Sequence, residues 1–174
     1  MKRLLFTEEQ KFEPRRLLIL TIVTIAVIAI PLGRGLYFLS ADNSPGDNPM
    51  GVEGLVVSGV TLVVMAFIYT MLFKAKLKTK ITTEKLSVSF PPLIRKWRDI
   101  DPGEIERYEL REYHPNREYG GRGIKRRLRK GRAWTVAGRT GLQLYFKNGK
   151  RFLIGTQKQQ ALDHAMHKLM EKED

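Results

Sequence analysis

Residues 118–134, EYGGRGIKRRLRKGRAW, hold the densest set of side chains able to do chemistry. Seven cations (Arg122, Lys125, Arg126, Arg127, Arg129, Lys130 and Arg132) accompany a single acid, Glu118. Guanidinium and ammonium groups at this density attract phosphates, carboxylates or an acidic surface. Gly120, Gly121 and Gly123 stand at the entrance of the segment. They suit either an anion-binding nest of backbone N–H groups or a bend between strands. They do not make a Walker A loop, because no G-K-[ST] follows at the required spacing.

Groups that would turn over a substrate are not assembled elsewhere. Cysteine is absent, which excludes disulfides, thiolate metal sites and cysteine nucleophiles. His164 and His167, with Asp163, suit the polar face of a helix better than a metal site, since the spacing places no further ligand. His114, before Pro115, reads as a turn residue. Carboxylates from Glu104 to Glu112 alternate with arginines, a pattern that suits cross-strand ion pairs. The expectation is a protein that is not an enzyme and holds no cofactor and no metal.

Location then gives the charge its meaning. Residues 1–16 carry five Lys/Arg and three acids, residues 17–73 one and three, and residues 74–174 carry 25 and 12. The excess of +13 therefore belongs to the last hundred residues. Residues 17–33 are uncharged and, at ~1.5 Å per helical residue, cover roughly 25 Å; extension to residue 39 past Arg34 reaches a ~30 Å hydrocarbon core. Residues 54–73 form a second uncharged run of about 30 Å. LSA before Asp42 looks like a signal-peptidase site, but Glu8, Glu9 and Glu13 and the long apolar run favour an uncleaved span.

Two membrane spans, about 17–39 and 54–73, are thus predicted within a hairpin over 17–73. Arg15 and Arg16 precede the first span, and Lys74, Lys76, Lys78 and Lys80 follow the second. The connecting loop, 40–53, holds three acids and no cation. Cation excess marks the cytoplasmic side. The expected topology is multi-pass in the inner (cytoplasmic) membrane, with residues 1–16 a cytoplasmic N-terminal segment, the loop outside, and 74–174 a cytoplasmic domain. Ser58 and Gly59 offer a small-residue helix contact, but neither span has an ionisable residue at mid-depth, which disfavours a channel or transporter subunit.

Beyond residue 77 the pattern is that of short strands. LKTKIT and LSVSF pair across a turn at Thr83-Glu84-Lys85, and Leu86, Val88 and Phe90 alternate with serines. RKWRDI, IERYELREY, AWTVAG, LQLYF and RFLI continue the series, with turns at Asp101-Pro102-Gly103 and Lys147-Asn148-Gly149-Lys150. Six or seven antiparallel strands suggest a small barrel or sandwich. A helix over about 156–172 follows, opened by a Thr156–Gln159 capping box, with Ala161, Leu162, Ala165, Met166, Leu169 and Met170 on one face.

The two spans, the strand starting at KAKLKTKITTEKLSVSF, the segment EYGGRGIKRR and the run TGLQLYFKNGKRFLIGTQKQQAL resemble bacterial membrane-anchored pleckstrin-homology-like (PH-like) proteins. Asn148 to Lys158 carry the most specific part of the resemblance. It implies an α-helical hairpin followed by an α+β PH-like domain: a bent sheet of about seven strands capped by a C-terminal helix. Arg122 stands where such sequences often have an aromatic, and Gln159-Gln160 where Pro-Glu is common. The resemblance implies a fold and fixes no function.

Four uses of the basic segment follow. The domain, tethered just after Phe73, can rest on anionic lipid, each basic residue contributing ~1 kcal/mol near the surface. It can bind a protein partner, with Leu128, Ala133 and Trp134 as an apolar contact among the charges. Nucleic acid fits the charge but no accompanying motif, and is the least favoured. A solvated hairpin that only supports topology and solubility is the fourth. Candidate contact residues are Arg122, Lys125, Arg126, Arg127, Arg129, Lys130, Arg132 and Trp134.

Overall fold

A computed structural model describes residues 3–40 and 52–171. The chain divides into two compact units, Met1–Phe12 with Lys74–Asp174, and Glu13–Phe73.

The second unit is a pair of helices, α1 (Pro14–Ser40) and α2 (Val52–Lys74). Both are long and apolar enough to cross a membrane, over Leu17–Tyr37 and Val56–Lys74. Val27, Val63, Phe67 and many other large apolar side chains on them are exposed. Their hydroxyls are satisfied locally. Thr21, Thr24, Thr61 and Thr70 each donate to the carbonyl four residues back, all at 2.8 Å. The helices meet where the Thr24 and Tyr69 hydroxyls share a 2.8 Å hydrogen bond. The helix continues through Pro31 to Ser40. Most of the expected loop, residues 41–51, lies outside the described residues, as does the side chain of Arg16.

The first unit is built from two sheets. One has the order β1-β2-β3-β4: Leu4–Lys11, Lys76–Thr82, Leu86–Phe90 and Ile94–Ile100. The other has the order β5-β8-β9-β7-β6: Ile105–Glu112, Thr140–Phe146, Arg151–Thr156, Gly131–Thr135 and Gly123–Arg127. Leu77, Ile81, Leu86, Val88, Ile100, Leu142, Leu144, Phe152 and Ile154 fill a common core. The helix α3 (Gln159–Met170) buries Leu162, Ala165, Met166 and Leu169 in it. This is a sandwich of two sheets with a terminal helix.

Four expectations need correction. Residues 4–11, expected in an N-terminal segment apart from the domain over 74–174, form β1 of that domain, antiparallel to β2, with Lys11 opposite Lys76. The inward-facing residues of β1 are Phe6, Glu8 and Gln10. Two of the three are polar, which hides the alternation that would announce a strand. The sheets are also not wholly antiparallel, because β7 and β9 run parallel, with Trp134 opposite Ile154. The capping box at Thr156 does not form. Its hydroxyl accepts from the Lys158 amide at 3.0 Å and donates to Glu8 at 2.8 Å, while α3 opens after Lys158 without a side-chain cap. Ala161, expected on the packed face of α3, is exposed.

Turn chemistry matches its sequence signals. Asp101 accepts from the Gly103 amide at 2.9 Å, and Asn148 from the Lys150 amide at 3.1 Å. The Thr82–Lys85 turn joins β2 to β3.

Candidate functional site

The basic segment becomes a hairpin of β6 and β7, with Arg126 opposite Arg132 and Arg127 opposite Gly131. Leu128, Arg129 and Lys130 form its turn. Strand period two places Ile124, Trp134, Arg126 and Arg132 on one face, so Trp134 lies in the core with the partly buried Ile124 packed against it, and the arginine pair extends the same face beyond them. Gly131, with φ of 81°, permits the return. A β-carbon there would sit 2.2 Å from the Arg151 carbonyl oxygen.

The segment does not act as one surface. Trp134 is 3% exposed and makes edge contacts with Phe90 and Phe152, at ring-centroid distances of 6.3 and 5.3 Å. It is a core residue, which corrects its reading as a lipid or partner contact; Ala133 is buried too. Arg122 is half-buried and donates to the Gly138 carbonyl at 3.4 Å, turned toward a neighbouring loop. Lys125 is also half-buried. Arg126, Arg127, Arg129, Lys130 and Arg132 are exposed, and Leu128 at the turn is fully exposed.

The glycines serve a bend. The amides of Gly120 and Gly121 donate to the carbonyls of Asn116 and Pro115, each at 3.0 Å, so neither points at an incoming anion. This closes a five-residue π-turn, Pro115–Tyr119, entered through His114. Glu118 sits in that turn. Its carboxylate accepts from Arg111 at 2.9 Å and from the His114 amide at 2.8 Å, with Lys130 3.6 Å away. Burial raises its pKa, but these hydrogen bonds and charges outweigh burial and hold it below the usual carboxylate value. Arginine–carboxylate pairing from β5 is therefore to this turn, and within the strand from Arg107 to Glu109 at 3.6 Å, rather than across strands.

Past the core, the sheets open into a cleft of about 580 Å³ between the β6–β7 hairpin and the β8–β9 turn. Arg126, Arg127, Arg129 and Arg132 reach it from the hairpin, Lys150 and Arg151 from the turn and β9, and Arg98 from β4. Phe146, Phe152 and Leu128 supply its apolar wall, and Glu104 the one acid among its lining residues. Arg98 lies over the Phe152 ring, 5.3 Å from the centroid. Burial, and then repulsion from Arg132, lower the pKa of Arg98 from the ordinary arginine value, against a smaller opposing effect of Glu104. Sequence reasoning missed Arg98, Lys150 and Arg151. Only the placing of β9 beside β7 brings the basic NGKR turn to a cluster some twenty residues earlier.

Of the residues read as topology signals, Lys76 and Lys78 pair with Glu9 at 2.7 and 3.2 Å. Hydrogen bonds from both lysines lower the Glu9 pKa. Arg15, Lys74 and Lys80 are exposed. On α3, His167 lies 3.1 Å from Glu171, and no group of three potential metal ligands converges among the described residues.

Comparison with family models, curated proteins and solved structures returns no match.

Proposed function

We propose that this is a non-enzymatic integral membrane protein whose PH-like domain lies at the inner leaflet, with the β6–β7 hairpin against anionic lipid headgroups. The observation that carries the reading is Leu128, a fully exposed apolar side chain between Arg126, Arg127 and Arg129, Lys130. An apolar tip within a collar of cations suits an interface of hydrocarbon below and phosphate above. The connections help. One residue, Ala75, separates α2 from β2, and two, Phe12 and Glu13, separate β1 from α1. A domain tethered twice loses little further freedom when it settles on the bilayer. Exposed Arg15, Lys74 and Lys80 at the span ends favour the cytoplasmic side.

A membrane-tethered adaptor that binds a protein partner is the second reading. Burial of Trp134 withdraws its aromatic anchor, leaving Leu128 and the arginines. Limited trypsin digestion of the full chain in nanodiscs separates the two. Cleavage after residues 126–130 is expected to slow several-fold when anionic lipid replaces phosphatidylcholine, and to recover in 0.5 M salt on the order of a 4 Å screening length. Equal cleavage in both lipids contradicts the membrane reading.

A further inference from the structure

We infer that the cleft between the β6–β7 hairpin and the β8–β9 turn is a receptor for a doubly charged phosphate group, a phosphomonoester borne either by a lipid headgroup or by a small soluble molecule. The lipid-borne case rests on the membrane reading above; the soluble case does not.

A diffuse attraction to an anionic surface needs only exposed charge, as at the hairpin turn. The cleft differs in three respects. It is concave and large enough for a small ligand at about 580 Å³, within the common range of roughly 300–1,000 Å³. It holds like charges against one another: Arg98 and Arg132 interact repulsively, and neither has a carboxylate within ion-pair distance among the described residues. One of its arginines is also positioned before any ligand arrives, and another is anchored at its backbone. Arg98 is half-buried and rests on the Phe152 ring, and the backbone of Arg132, whose side chain is exposed, is held in a strand between Phe152 and Arg126.

Such an arrangement asks for an anion that interacts with several guanidinium forks together. A phosphodiester carries one negative charge and two free oxygens. A phosphomonoester carries close to two charges and three oxygens at pH 7, and so relieves the Arg98–Arg132 repulsion while offering parallel N–H···O pairs. Arg126, Lys150 and Arg151 complete the ring, and the apolar wall of Phe146 and Phe152 excludes water from one side. Charge interactions strengthen where water is excluded.

The test uses the full chain in phosphatidylcholine nanodiscs and glycerol 3-phosphate as the soluble probe, with glycerophosphoglycerol as the diester control. In parallel, nanodiscs containing phosphatidic acid are compared with discs of phosphatidylglycerol at matched surface charge, reading protection of the hairpin from trypsin. The monoester is expected to win in at least one arm. Saturable calorimetric binding of glycerol 3-phosphate, absent with the diester, identifies a soluble source. Stronger protection by phosphatidic acid alone identifies a lipid source. In either arm Arg98→Gln and Arg132→Gln should weaken the monoester response at least tenfold. Arg132 is exposed, so its replacement keeps the test valid if Arg98→Gln misfolds. The monoester response should also fall as pH drops through about 6, where the dianion takes up a proton. Indifference to monoester over diester in both arms, or an unchanged response in Arg132→Gln, overturns the inference. Hairpin protection by both anionic lipids equally, with no binding of glycerol 3-phosphate, would leave the membrane reading standing while the cleft inference falls. Binding of the soluble monoester with no protection in any anionic disc would do the reverse.

Discussion

Trp134 shows how one side chain changes meaning between a linear segment and a fold. In a segment with seven arginines and lysines it reads as an aromatic contact, yet the strand period turns it inward onto Phe90 and Phe152. Trp134→Ala should therefore act on stability, costing roughly 3–5 kcal/mol as large-to-small core changes do. Thermal unfolding followed by circular dichroism measures this, and an unchanged midpoint would place the indole outside the core. Gly131→Ala should also destabilise, by more than about 1 kcal/mol, because both its positive φ and the Arg151 carbonyl reject a β-carbon. Glu118 makes a pH-dependent contribution. Its folded pKa lies below the unfolded value, so its pairing with Arg111 stabilises the fold above about pH 4.5 and is lost as pH falls through the folded value. Glu118→Gln should flatten the acid limb of a urea-midpoint profile; an identical limb would mean that the pair contributes nothing.

At the scale of elements, strands with apolar alternation were legible and those with polar inward faces were not. β2, β3, β8 and β9 carry Leu, Ile, Val and Phe at every second position or in runs, and hairpin turns at Thr83 and Asn148 mark their ends. β1 buries Glu8 and Gln10, whose partners lie about 145 residues away and leave no local trace. Glu8 accepts from Thr156 and from the Gln157 amide, both at 2.8 Å, and Gln10 donates to the Gly155 carbonyl at 2.7 Å. These bonds clamp the β9–α3 junction to the strand that leads into the first apolar helix. Glu8→Ala leaves a hydroxyl and an amide without this acceptor, a cost of about 1–3 kcal/mol. Amide exchange across residues 156–170 should accelerate in that variant. Exchange unchanged there would show that β1 does not hold the helix. A fragment starting at residue 74 lacks this edge strand and should show the same loss.

For the whole molecule, the broad division into an apolar helix pair and a β-rich basic domain was present in hydropathy and charge. The site was only half present. Exposed cations at 126–132 could be read along the chain, whereas Arg98, Lys150 and Arg151 join them through sheet order alone. The absence of cysteine makes a direct experiment simple. Leu128→Cys, labelled with an environment-sensitive fluorophore in the otherwise cysteine-free chain, reports whether the hairpin turn meets the bilayer. In nanodiscs with anionic lipid the emission should shift to the blue and be quenched by headgroup-level spin-labelled lipid, and both effects should disappear in phosphatidylcholine or at high salt. Emission typical of water in every lipid, with no quenching, would contradict a hairpin resting on the membrane.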